Sequence, residues 1–406
     1  MTETPMTMTQ PEPESGLGGG GSRSVTLTGV SRAVLRIGNV VLFGLVPAVS
    51  AWFFITSHTE EGVVGFDFRG TLWNAAGDVL AGRSPYPDPN SGELRSGNPA
   101  VYPPFSMFAV VPLRALGWDV GFAVWVAVLL VAAAIGFFLL GVRDWRMVPL
   151  VLVSVPVMKG AILGNLTLLL PLGIAISWRY RERSAITGAA VGAAVAAKLF
   201  LWPLIVWLLI TRRFRAAAIA AVWAVGLVVV PWALIGFRGF LEYPALLDAV
   251  SDFYGPRSSS LVALGQGLGL GATAGALPWL AGGAILAVAA VKAARHPDAE
   301  RSVFALCVIA AVAAVPLVWE YTVVLLFVPV VIMWPRLTVL AGFAVAVWVV
   351  ESPHAFDYLD LSRQVASAGP VAVLIGLLTV FAYVLDPVAS IVGGKDNTHL
   401  LETRIP

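Results

Sequence analysis

The residues in this 406-residue chain that could do chemistry are few, and each is set in apolar surroundings. Asp67 lies in Gly65-Phe66-Asp67-Phe68-Arg69, just after the first apolar run. Its carboxylate is a candidate general base, able to take a proton from an attacking hydroxyl within hydrogen-bond reach. The same spacing fits a helix N-cap, because a helical pattern follows in which Leu72, Ala76, Val79 and Arg83 share a face while Asn74 and Asp78 point elsewhere. A capping carboxylate is the weaker base, so the two readings compete and the spacing favours neither.

Lys159 and Lys198 sit in or beside apolar runs. A lysine at the centre of a membrane helix costs about 2.5–3.5 kcal/mol. Such a residue faces a cavity or an anion such as a lipid-linked phosphate, or it snorkels to the interface. Glu320 is the one carboxylate between Arg301 and Arg336 and is flanked by Trp319 and Tyr321. An aromatic face beside a carboxylate suits a sugar ring and its hydroxyls; the plainer alternative is an interfacial aromatic belt. The segment Asp252–Ser260 is polar and aromatic, and Arg257 within it could grip a phosphate through two parallel hydrogen bonds, or the segment is a plain turn.

These residues need elements to hold them, and composition says which. Hydrophobic residues make up 58% and charged residues 12% of the chain, about half the charged share of a soluble domain. With a mean hydropathy of +0.84, this is an all-α polytopic membrane protein. Apolar runs fall at roughly 34–56, 118–141, 147–161, 163–178, 185–198, 199–211, 216–235, 277–294, 302–318, 321–334, 337–350 and 369–386. Spanning a bilayer takes about 20 helical residues, so the short runs pair as hairpins whose tips stop within or just above the membrane, beside protein or a water-filled cavity. Residues 1–32 are rich in Thr, Pro, Glu and Gly and read as a disordered tail; 33–388 form the membrane domain, and 389–406 a second tail.

Basic residues set the orientation. Arg143, Arg146, Arg179, Arg181, Arg183, Arg212, Arg213, Arg215, Lys292, Arg295, Arg301 and Arg336 cluster between runs and are expected in the cytoplasm. Both tails are then cytoplasmic and the helix count is even, with twelve favoured within a range of ten to twelve. The 57–117 segment becomes a long first extracytoplasmic loop carrying a juxtamembrane helix. The junctions at Lys159–Asn165 and Lys198, the loops 236–259 and 351–367, and the Trp319-Glu320-Tyr321 turn fall on the same outer side as Asp67.

The absences narrow the function. No phosphate-binding glycine loop, dinucleotide fingerprint or HExxH is present, so outer-face chemistry would use an activated substrate already in the membrane. The basic clusters form no continuous face for nucleic acid. The lone cysteine, Cys307, lies in an apolar run, and the four histidines (His58, His296, His354, His399) are scattered; neither type demands a metal or another cofactor.

Asp67-Phe68, Trp73-Asn74-Ala75-Ala76, Leu80-Ala81-Gly82, Pro85-Tyr86, Tyr102-Pro103-Pro104 and Pro112-Leu113 together resemble the first extracytoplasmic loop of glycosyltransferase family 87, enzymes of the GT-C fold. Gly164-Asn165, Lys198-Leu199-Phe200 with Pro203, Ser259-Ser260-Leu261 and the turn at Trp319 follow in the family's order. The resemblance implies a multi-pass plasma-membrane hexosyltransferase, working with inversion on the extracytoplasmic side. It would move a sugar, by default mannose, from a polyprenyl-phosphate donor to a lipid or glycan acceptor. Asp67 matches the family's base; Lys198 and Arg257 are the candidates for the departing phosphate. Glu320, Tyr321, Trp319, Tyr102, Asn165 and Arg69 complete the expected substrate-binding set, with no metal. The chain departs from the pattern at Glu320-Tyr321, where the family tends to show histidines, at Leu72-Trp73, where a tyrosine is usual, and at Gly164, where a glutamine is usual. These departures bear on the donor sugar more than on the reaction class. A secondary transporter or lipid-carrier flippase is the alternative, expected to show a midplane site between internal repeats in place of a laterally open groove with Asp67 on its wall.

Overall fold

A computed structural model of the chain describes residues 37–60, 62–96, 98–350 and 362–384. Both expected tails, and most of the 351–367 loop with His354, lie outside these residues. Among them there is no strand, and each apolar run carries helix. Five helices are long and apolar enough to cross a membrane: α1 (Ile37–Thr59), then Trp118–Leu139, Phe214–Leu234, Gly271–Arg295 and Arg363–Val384. The protein is an all-α polytopic membrane protein.

Between the first two spans the loop folds as α2 (66–80), whose middle, Phe68–Asn74, runs in wider π-helical turns, and α3 (Pro104–Val110). Of the expected face Leu72, Ala76, Val79 and Arg83, the first two are buried and Val79 partly so, whereas Arg83 lies beyond the helix and is exposed. Phe68, Thr71 and Ala75 are buried too, so α2 is sunk into the protein on more than one side. What holds it is α4 (Trp118–Leu139). The Phe68 ring lies 5.5–5.8 Å from the rings of Trp73, Trp118, Phe122 and Trp125. Aromatic pairs at this spacing contribute about 0.5–1.5 kcal/mol each beyond their burial.

The short runs form hairpins, as their lengths predict. α5 (Val155–Leu163) ends at Gly164, whose φ of 69° is left-handed. Asn165 then caps the next turn by accepting from the Thr167 amide, and α6 (Leu170–Arg179) follows. α7 (Ser184–Ala197) stops where Lys198 becomes extended, at φ −144° and ψ 107°, and α8 (Pro203–Ile210) starts on its proline. α7 packs closely on α9 (Phe214–Leu234) through Gly188 and Gly192, the small-residue spacing by which membrane helices approach. α10 (Tyr243–Tyr254) lies across the loop. At the centre stand α11 (Glu300–Ala313), buried at every position from Ser302 to Ala313, and α12 (Phe327–Met333), buried throughout. Helices with neighbours all round are apolar all round, which is why these two show no polar face in sequence.

Candidate active site

The broken ends of these helices meet the loop around one cavity of about 530 Å³. Asp67 and Thr71 come from α2, residues between Asn98 and Pro103 from the loop, Leu163 from α5, Ala197 to Phe200 from the α7–α8 break, residues between Tyr243 and Tyr254 from α10, and 315–317 with 319–322 from the stretch after α11, which turns into a 3-10 helix at Glu320. Of the polar junctions expected beside Asp67, Lys198, part of the 236–259 segment and the 319–321 turn line this cavity, Lys159 and Asn165 do not, and most of the 351–367 loop lies outside the described residues.

Asp67 is 8% exposed. Its backbone is already helical and its side chain caps no backbone amide, which removes the N-cap reading. Instead the carboxylate is gripped by amides. Asn165 Nδ2 donates to Oδ2 at 2.5 Å and Asn98 Nδ2 donates to Oδ1 at 3.0 Å. Burial raises the Asp67 pKa above the usual carboxylate value, against the opposing pull of the Asn165 bond, the Lys198 charge, the Asn98 bond and a bond from the Tyr321 hydroxyl. A carboxylate that protonates more readily than usual, yet is held by donors that favour its ionised form, suits a base.

Asn165 is fully committed. Its Oδ1 accepts from the amide and the hydroxyl of Thr167, at 2.9 and 2.6 Å, and its Nδ2 also donates to the Tyr102 hydroxyl at 3.1 Å. It therefore positions Asp67 and Tyr102 and has little left for a substrate. Tyr102 is buried, with its phenol pKa raised chiefly by burial and next by the Asp67 charge, so it stays a neutral hydroxyl.

Lys198 stands among aromatic faces, its Nζ 4.7 Å from the Tyr102 ring centre, 5.6 Å from that of Tyr321 and 6.0 Å from that of Phe200. Among the described residues it has no salt bridge within 4.0 Å. Trp319, Glu320 and Tyr321 form the facing wall. Three expected substrate-binding residues do not line the cavity: Asn165, already committed as described, Arg257 and Arg69. Arg257 packs its guanidinium 4.4 Å over the Phe253 ring and donates to the Phe253 carbonyl. Arg69 packs 4.3 Å over the Trp118 ring. An aromatic face satisfies a planar cation at little desolvation cost, and both arginines are used in this way. Lys159 likewise lies over Phe54, at 5.9 Å.

Sequence reasoning missed Asn98, Thr71, Tyr243 and Tyr254. Asn98-Pro99 has the form of a turn, and nothing local marks its amide as a partner of Asp67. Tyr254 lies in the Asp252–Ser260 segment read for Arg257, and Tyr243 in the 236–259 stretch read only as an outer loop. Among the described residues no three His, Cys, Asp or Glu side chains come together as a metal site.

A cavity lined by a carboxylate, an ammonium and aromatic residues is thus cut into an all-helical membrane protein. The family model for glycosyltransferase family 87 matches residues 100–329. The chain belongs to this family, and is a glycosyltransferase acting on a sugar donor and an acceptor. The matched span carries Tyr102, Asn165, Lys198 and the 319–321 wall; Asp67 lies before it and joins them in space. No curated protein and no solved structure matches the chain.

Proposed function

We propose that the chain transfers a hexose, mannose in the first instance, from a polyprenyl-phosphate donor to a hydroxyl of a lipid or glycan acceptor, at the extracytoplasmic face of the plasma membrane. The observation that carries this reading is the presence, in one cavity, of a buried carboxylate and an ammonium with no salt-bridge partner among the described residues. Asp67 takes the proton of the acceptor hydroxyl as that oxygen forms its bond to the anomeric carbon. The bond from that carbon to the donor phosphate oxygen breaks on the opposite side, its electron pair leaves with polyprenyl phosphate, and the anomeric configuration inverts. Lys198 stabilises the charge growing on the phosphate, in surroundings dry enough to strengthen the effect. Trp319 and Tyr321 offer ring faces to the sugar and Glu320 accepts from its hydroxyls.

The test is transfer from radiolabelled polyprenyl-phosphate mannose by lipid-reconstituted protein supplied with native lipids. Asp67→Asn should lower transfer by about 100-fold or more while the protein remains folded. Equal transfer by both proteins would remove Asp67 from the reaction and point to Glu320.

A further inference from the structure

We propose that Asn98 is a positioning residue that, with Asn165, clamps the Asp67 carboxylate from both sides, one amide on each oxygen, and holds it in place for the incoming hydroxyl. The inference rests on the functional reading above and extends it to a residue outside both the matched span and the sequence candidates.

The geometry makes each amide's orientation unambiguous. The Thr167 backbone N–H can only donate, so Asn165 must give it Oδ1 and turn Nδ2 to Asp67. Asn98 Nδ2 faces the Phe66 carbonyl at 3.2 Å and Asp67 Oδ1 at 3.0 Å, two oxygens that only accept when the carboxyl is ionised. A carboxylate accepts about four hydrogen bonds. Asn98 fills one on Oδ1 and Asn165 one on Oδ2, so each oxygen is held by an amide and keeps room for an incoming hydroxyl.

Asn98 is itself held firmly. A side-chain carbon placed on Gly70, one turn along α2, would stand 2.3 Å from the Asn98 carbonyl oxygen. The strand of loop that carries it is pinned by hydroxyls: Tyr254 donates to the Leu94 carbonyl at 3.1 Å, Tyr243 to Val101 at 2.8 Å and Tyr86 to Tyr102 at 2.8 Å. The ionisable groups facing Asp67 from the packed elements are Lys198, Tyr102 and Tyr321, with Glu320 beside Tyr321. Of these only Lys198 favours its ionised form by charge, so the amides have a task that the charged groups do not cover.

The experiment follows the carboxyl directly. Infrared difference spectra of lipid-reconstituted wild type against Asp67→Asn isolate the C=O stretch of protonated Asp67, and its titration midpoint is compared with that in Asn98→Ala. Loss of one hydrogen bond to the ionised form should move the midpoint up by about one to two pH units. The acid limb of the transfer rate should move with it, so that the variant is impaired most at low pH and recovers as pH rises. Tyr86→Phe loosens the same stretch of loop without touching Asp67 and should leave the midpoint in place. An unmoved midpoint in Asn98→Ala, or an equal shift in Tyr86→Phe, would overturn the proposal and make Asn98 a loop anchor. The spectra do not depend on turnover, so absence of transfer by the wild type would count against the glycosyl-transfer reading alone.

Discussion

At the scale of single residues, the chemistry turns on how a buried carboxylate is kept useful. Asp67 has its pKa raised by burial and pulled back by amides and by Lys198. Activity that needs the carboxylate is therefore lost as pH falls through that raised value, and the acid limb of kcat/KM for transfer should lie above the ordinary carboxylate range. Lys198→Met removes both the charge that favours ionised Asp67 and the partner proposed for the donor phosphate. It should shift the acid limb upward and lower kcat/KM by about 100-fold, with partial recovery in Lys198→Arg. A pH profile of both variants, with donor KM measured at the plateau, checks this. Arg257→Ala should cost far less, because its guanidinium is occupied by Phe253.

At the scale of elements, the site depends on where helices stop. Gly164 ends α5 in a left-handed turn, and a side-chain carbon there would stand 2.7 Å from Phe68 Cβ and 2.9 Å from the Phe122 ring. Gly164→Ala should therefore be strained twice, in backbone and in packing. The displaced Phe68 would carry Asp67 with it, so loss of transfer should exceed the loss of thermal stability. Gly192→Leu tests the α7–α9 contact alone. The position meets the Ala220 carbonyl at 2.5 Å, and the overpacking should cost about 1–3 kcal/mol, read as a lowered Tm in detergent. The far ends of the hairpins are tied as well. Arg213 pairs with Glu182 at 2.7 Å and with Glu300, and Arg181 pairs with Glu300 at 3.2 Å, which joins three helix ends away from the cavity.

At the scale of the whole molecule, those same ends bear on orientation. α6 starts beside Asn165 and ends at Arg179, α7 runs from Arg183 to Lys198, and α8 returns to Arg212. The arginine clusters and the cavity thus sit at opposite ends of the same helices. The proposed orientation puts the arginines in the cytoplasm and so would open the cavity to the extracytoplasmic side. Cys307 is wholly buried, so single-cysteine labelling has a low background. Asn90→Cys should react with a membrane-impermeant maleimide on intact cells, whereas Arg212→Cys should react only after permeabilisation. The reverse pattern would invert the topology.

The membrane class, the helix-bearing runs, the polar breaks and the interest of Asp67, Lys198 and the 319–321 turn were all legible in the linear chain. Each is a local property: hydropathy over a run, or one polar residue where apolar ones are the rule. Which reading of Asp67 applies was not local, because a cap and a base have the same sequence spacing. The structure speaks against the cap, since the carboxylate is held instead by Asn98 and Asn165, 31 and 98 residues further along, and the base remains the proposal. Arg257 and Arg69 looked like substrate ligands in sequence and became packing residues, since a cation beside aromatic residues can turn to the ring or to the ligand, and only side-chain direction distinguishes the two. The sequence determined which residues were costly to bury. The tertiary structure alone decided which partners repay that burial, because hydrogen bonds and charge act over a few ångströms of space whatever their separation along the chain.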